Sequence, residues 1–153
     1  MRFPKVKAVA SAPTAQTGWT LSELLVSLAL MAVLAAVALP AFQAQQRQAR
    51  RSDAQSALQQ LQLAQARWRG TQSSHAPDLA SLGWVGDLSP GGHYRLTIED
   101  ANSEGYSLIA TPIGTQARDS ACAPMRLKLR HMATVELSSG ADLVGDPGRC
   151  WRQ

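Results

Sequence analysis

Cysteine is scarce in this chain, and the two present, Cys122 and Cys150, form no C-x-x-C pair. His75, His93 and His131 are scattered singly. No zinc or dithiol redox motif can be built from that spacing, which leaves one disulfide or two buried thiols as the open readings. Charge is missing over a longer distance: from Ala8 to Gln46 the only charged residue is Glu23. Glycine is absent between Gly18 and Gly70, and proline between Pro40 and Pro77. With neither residue from Ala41 to Arg69, nothing in that stretch stops a helix before Gly70. No residues group as an enzyme's catalytic constellation, and neither a cofactor nor a metal is implied.

The formal net charge of +4 is partly a property of the first residues, because Arg2, Lys5 and Lys7 stand ahead of the apolar run. Without residues 1–18, twelve cations face eleven anions. The basic balance is therefore weak evidence for nucleic-acid binding.

What the chain has in abundance is the run "LLVSLALMAVLAAVAL" at 24–39, uncharged onward to Gln46. As a helix the uncharged stretch spans about 35 Å, slightly more than the hydrocarbon core of a bilayer. A carboxylate beside such a run is expensive and usually marks function. Glu23 also has a local explanation. Thr20-Leu21-Ser22-Glu23 matches the capping box, in which the acid reaches back to the first free backbone N–H of a helix. A cleaved secretory signal would place the basic residues closer to the apolar core, although "AVA" at 36–38 could be cut. A plain membrane anchor fits the length and leaves Glu23 unexplained.

"GWTLSELL" followed by apolar residues and "ALPA" resembles the class III signal of type IV pilins. Gly18, Trp19, Thr20, Leu21, Glu23, Leu24 and Pro40 fall in register with that pattern. The resemblance implies an α+β type IV pilin fold: a long kinked N-terminal helix on a four-stranded antiparallel sheet, with a C-terminal disulfide loop. It implies a prepilin leader over 1–18, cut between Gly18 and Trp19 by a prepilin peptidase. The amine of Trp19 would then be N-methylated. It further implies a membrane and filament-core half over 19–45 and a periplasmic head over 46–153. Membrane lipid, an inner-membrane assembly platform and other pilin subunits would be the successive partners, ending in an extracellular pilus. In the filament Glu23 would pair with the Trp19 amine of a neighbouring subunit, or with its own. Trp19 replaces the usual Phe, and Pro40 is left to kink the helix without a helix-loosening glycine.

Beyond Pro40, "QAQQRQARRSDAQSALQQLQLAQARWR" reads as helix to Arg69. Ala54, Ala57, Leu58, Leu61, Ala64 and Trp68 share one face, expected to pack on the sheet. Arg47, Arg50 and Arg51 follow the apolar run, either as a solvated face near lipid headgroups or paired with acids of neighbouring subunits. Residues 71–92 read as a loop with a short helical turn around Asp78–Leu82, and with His75 and His93 facing solvent. Period-two segments predict strands at 93–99, 105–112, "PMRLKLR" and "MATVELS". The join near Arg130–His131 lacks a turn signal, so its register stays open.

"GYSLIATPIGTQARDSAC" and the late "RCW" resemble the heads of PilE-like minor pilins, which implies pairing of Cys122 with Cys150. Arg126, Lys128 and Arg130 alternate along one strand and so share a face. They form either its wet side or a phosphate-binding stripe, since some minor pilins bind DNA during uptake. The function implied is a structural minor subunit of the type IV pilus. A DNA-binding minor pilin and a type II secretion pseudopilin are the alternatives.

Overall fold

The computed structural model describes residues 18–143 and 147–151. The expected leader therefore lies, but for Gly18, outside the described residues. The chain divides into two compact units, one ending at Pro40 and one beginning at Ala41. Helix α1, Leu21–Arg69, contributes to both. Four strands follow: β1 (Tyr94–Glu99), β2 (Tyr106–Pro112), β3 (Met125–Arg130) and β4 (Thr134–Ser139). A single turn of helix, α2 (Pro147–Cys150), comes after them. This is the type IV pilin fold the resemblance implied.

In the first unit, Thr20 opens the helix by accepting the Glu23 N–H on its Oγ1 at 3.3 Å. That bond satisfies one of the orphan donors of the first turn. From Gly18 to Pro40 every side chain is exposed except the half-buried Ser27, whose hydroxyl donates to the Glu23 carbonyl at 2.8 Å. Leucine, alanine and methionine make this stretch a good helix. Among the described residues nothing covers it, and it is long and apolar enough to cross a membrane.

In the second unit, the helix buries Ala54, Ala57, Leu58 and Leu61 against Tyr94, Leu96, Tyr106, Leu108, Met125 and Leu127. Full burial of each of those leucines contributes roughly 1.5–3 kcal/mol. The sheet order is β1-β2-β3-β4, antiparallel throughout. Leu108 faces Leu127, and Leu127 faces Leu137, so one face of each strand is apolar. Cover from the helix fades toward β4, where Val135 and Leu137 lie on that face yet remain exposed.

The helical face differs in part from expectation. Ala64 and Trp68 are only half-buried, whereas Gln65 is fully buried. Its amide makes two 2.9 Å bonds to the backbone of Ala76, donating to the carbonyl and accepting from the N–H. A side chain that satisfies a loop's backbone can replace an apolar one in a core. His75 is also buried, contrary to the solvent-facing expectation. Its Nδ1 lies 2.8 Å from the Asn102 carbonyl and its ring meets Tyr106 edge-on at 4.8 Å. Around Asp78–Leu82 the chain makes hydrogen-bonded turns rather than a helix. The Asp78 carboxylate accepts the Ser81 N–H at 2.8 Å, a bond that holds its pKa below the usual value.

The unsignalled β3–β4 join is a tight turn. His131 and Met132 both take positive φ, 50° and 58°, and the Ala133 N–H closes on the Arg130 carbonyl at 3.1 Å. This is the hairpin turn whose twist suits antiparallel strands, and it normally calls on Asn or Gly. Here Met132 is held by its N–H, which donates to the Glu104 carbonyl at 2.9 Å. A tertiary bond thus supports a conformation the local sequence disfavours.

Candidate functional site

The residues marked by the sequence fall into three places. Gly18 and Trp19 stand exposed just ahead of α1, and Glu23 lies in its first turn. Trp19 is 69% exposed. Pro40 sits inside α1 and cannot donate to the Ala36 carbonyl.

The second place is the outer face of the sheet. The register puts Arg126, Lys128 and Arg130 on that face, opposite the core residues Met125, Leu127 and Leu129. Each of the three already has an acceptor. Arg126 donates to the Ser138 hydroxyl and the Leu143 carbonyl, both at 3.1 Å. Lys128 lies 3.9 Å from Asp100, and Arg130 lies 3.0 Å from Glu136. The row is therefore a set of cations interleaved with acids rather than an uncompensated stripe. Arg95 on β1 joins the same face, paired with Asp87 at 2.7 Å.

The third place is where the β2–β3 connection meets the helix. Two 3-10 turns, Gly114–Arg118 and Ser120–Cys122, carry the chain back against α1. Arg51 grips Asp119 with two bonds of 2.6 and 2.8 Å, and this pair raises the Arg51 pKa above its ordinary value. Arg51 was expected either to be solvated or to meet a neighbouring subunit; instead it finds its acid within the head. Gln116 is fully buried and donates to the Arg47 carbonyl (3.0 Å) and the Tyr94 hydroxyl (2.9 Å). Burial pushes the Tyr94 phenol up to about 12.

Arg50 donates to Thr115 Oγ1 at 2.9 Å, and together with Arg47 and Arg118 it lines a cleft beside that hydroxyl. Arg118 is 68 positions from Arg50 in sequence, so no local pattern could join them. The motif that could have hinted at the gathering is "TQARDSAC", where Gln116 and Asp119 flank Arg118.

Cys122 and Cys150 form a disulfide, with Cα atoms 5.5 Å apart. The bond ties α2 to the connection, and the Cys150 carbonyl accepts from Gln55 of α1 at 3.2 Å. Trp151 donates its indole N–H to the Ser138 carbonyl at 3.2 Å. It is half-buried and packs against the core of the head. Among the described residues no His, Cys, Asp and Glu side chains gather as a metal site.

Over residues 40–126 the chain matches the family described as type IV minor pilin ComP, DNA uptake sequence receptor. No match to a curated protein was found.

Proposed function

The chain belongs to the ComP family of type IV minor pilins, and from that premise we propose a sequence of states for it. Prepilin peptidase cuts after Gly18, and the new amine at Trp19 is methylated. Residues 19–45 hold the subunit in the inner membrane as a single pass, with the head from 46 onward in the periplasm. The assembly platform then transfers it among other pilin subunits in the filament. The observation that carries this reading is Glu23. It stands at the capped start of a helix stretch whose apolar side chains are exposed among the described residues.

Removed from water, a carboxylate needs a cation, and the amine made by cleavage lies four residues away. An acid in the first turn of a helix is favoured by the positive helix end, and cleavage adds an amine beside it. The test is the N-terminal residue of the protein purified from membranes. Methylated Trp19 supports the reading, whereas Leu39 or Phe42 would indicate ordinary signal cleavage instead.

The head is proposed as a DNA-binding surface for uptake. The family's description names a DNA uptake sequence receptor. In this chain Arg95, Arg126, Lys128 and Arg130 supply cations on the outer sheet face. The carboxylate partners of Arg95, Lys128 and Arg130 are exposed or half-buried, so phosphates can compete for those cations in water. Binding of duplex DNA should weaken steeply as salt rises, because each neutralised phosphate releases counterions. Replacing Arg126, Lys128 and Arg130 with Gln should lower both the affinity and the salt slope. Unchanged binding in that variant would remove the face from the proposal.

A further inference from the structure

We propose that the cleft lined by Arg47, Arg50, Thr115 and Arg118 binds the phosphate of an anionic phospholipid headgroup. The inference rests on the membrane-held state proposed above and adds a ligand to it.

Three guanidinium groups border this cleft, and its lining includes no carboxylate. The remaining lining residues are Gln43 and Gln46. Neither Arg47, Arg50 nor Arg118 makes an ion pair among the described residues. Asp119, the acid next to Arg118 in sequence, is engaged on both oxygens by Arg51. Three cations gathered without an anion repel one another, and a bound phosphate relieves that repulsion. Arginine suits the task because its planar fork matches two phosphate oxygens at once.

The walls are fixed before any ligand arrives. Gln116 bonds to the Arg47 carbonyl, and Thr115 accepts from Arg50, so the 3-10 turn is fastened to the helix at both residues. The Arg50 side chain is thereby ordered in advance, which lowers the cost of binding. The cleft measures about 220 Å³. That is below the roughly 300 Å³ where drug-sized sites begin and suits a headgroup rather than a whole organic ligand.

Position favours a lipid over a nucleic acid. Gln43 lines the cleft and directly follows Phe42, the last large apolar residue of the run, which is exposed. At a rise of 1.5 Å per residue, Arg47 stands about 8 Å along the helix from Phe42. The polar layer on each side of a bilayer core is on the order of 5–8 Å thick. A duplex would need a continuous track of phosphate contacts, whereas the cleft is a single concavity. Occupied, it would set the height and rotation of the head at the membrane surface.

The experiment uses the full chain in detergent, mixed with equal amounts of phosphatidylglycerol and phosphatidylcholine, with retained lipid read by native mass spectrometry. Phosphatidylglycerol should be retained about tenfold over phosphatidylcholine, corresponding to about 1.4 kcal/mol. The triple replacement Arg47→Gln, Arg50→Gln, Arg118→Gln should bring the ratio close to one. Replacing Arg126, Lys128 and Arg130 with Gln should leave it unchanged. If the first triple variant does not fold, Arg118→Gln alone, in an exposed turn, should still lower the ratio several-fold.

A native ratio near one overturns the proposal, as does a preference that survives loss of the arginines. Displacement of the lipid by millimolar inorganic phosphate would show a free-phosphate site and overturn the lipid source. Displacement by a duplex oligonucleotide would reassign the cleft to DNA. A chain that fails to partition into membranes fails the membrane-held state itself. A chain that partitions without headgroup preference fails only this inference.

Discussion

Helix α1 contains two stretches written in different chemistries. Up to Pro40 its polar contacts are local, among Thr20, Ser22, Glu23 and Ser27, and its apolar side chains face outward. From Asp53 to Gln65 the side chains reach far along the chain: Asp53 to Ser89 and Gly91, Gln55 to Cys150, Gln65 to Ala76. The difference separates a stretch whose apolar side chains lack cover among the described residues from one that finds its partners within its own head. Substitutions in the first should alter assembly and leave the fold intact. Substitutions in the second should alter stability first.

The largest effect expected from breaking this division is at Glu23. Glu23→Ala should be processed and membrane-bound yet nearly absent from sheared pili, with the melting temperature of the head unchanged. Equal incorporation of mutant and native subunits would abolish the distinction drawn here. Next comes the disulfide, which closes a loop of sequence separation 28. Replacing both Cys122 and Cys150 with Ser should destabilise the head by about 3–4 kcal/mol in the chain-entropy model, measurable by denaturant titration.

Asp119→Asn should cost about 2–3 kcal/mol in the same assay, because it strands the largely buried Arg51 without its anion. Filaments should still admit this variant in proportion to the folded fraction. The smallest effect is alkaline. Burial pushes the phenols of Tyr94 and Tyr106 up to about 12. In the unfolded chain they titrate near 10, so the fold favours the protonated form. Stability is therefore unaffected below pH 10 and falls as pH rises from 10 to 12, by about 1–2 kcal/mol for each tyrosine. Tyr106→Phe should flatten half of that slope if the loss belongs to the head alone.

Much of the architecture was legible because it repeats. The 3.6-residue spacing of Ala54, Ala57, Leu58 and Leu61 marks the buried stripe, and period two marks all four strands. The resemblance to a pilin start rests on Gly18, Glu23 and Pro40, spaced at set distances from just ahead of α1 into it. What escaped depends on pairs brought together by folding. Gln65 and His75 look like surface residues until Ala76 and Asn102 supply their hydrogen bonds. The row on β3 reads as basic until the register sets Glu136 beside Arg130. The arginine cleft needs a turn from beyond β2 to deliver Arg118 to Arg47 and Arg50.

The order β1-β2-β3-β4 makes every strand the neighbour of the one translated before it. Each pairing closes a short segment of chain, so the loop-closure entropy met at each step is small. Topologies of this kind fold fast for their sheet content. The sheet can then zip up strand by strand in chain order. Its last strand, β4, precedes Cys150 in the chain, so the partner of Cys122 comes only after every strand of the sheet.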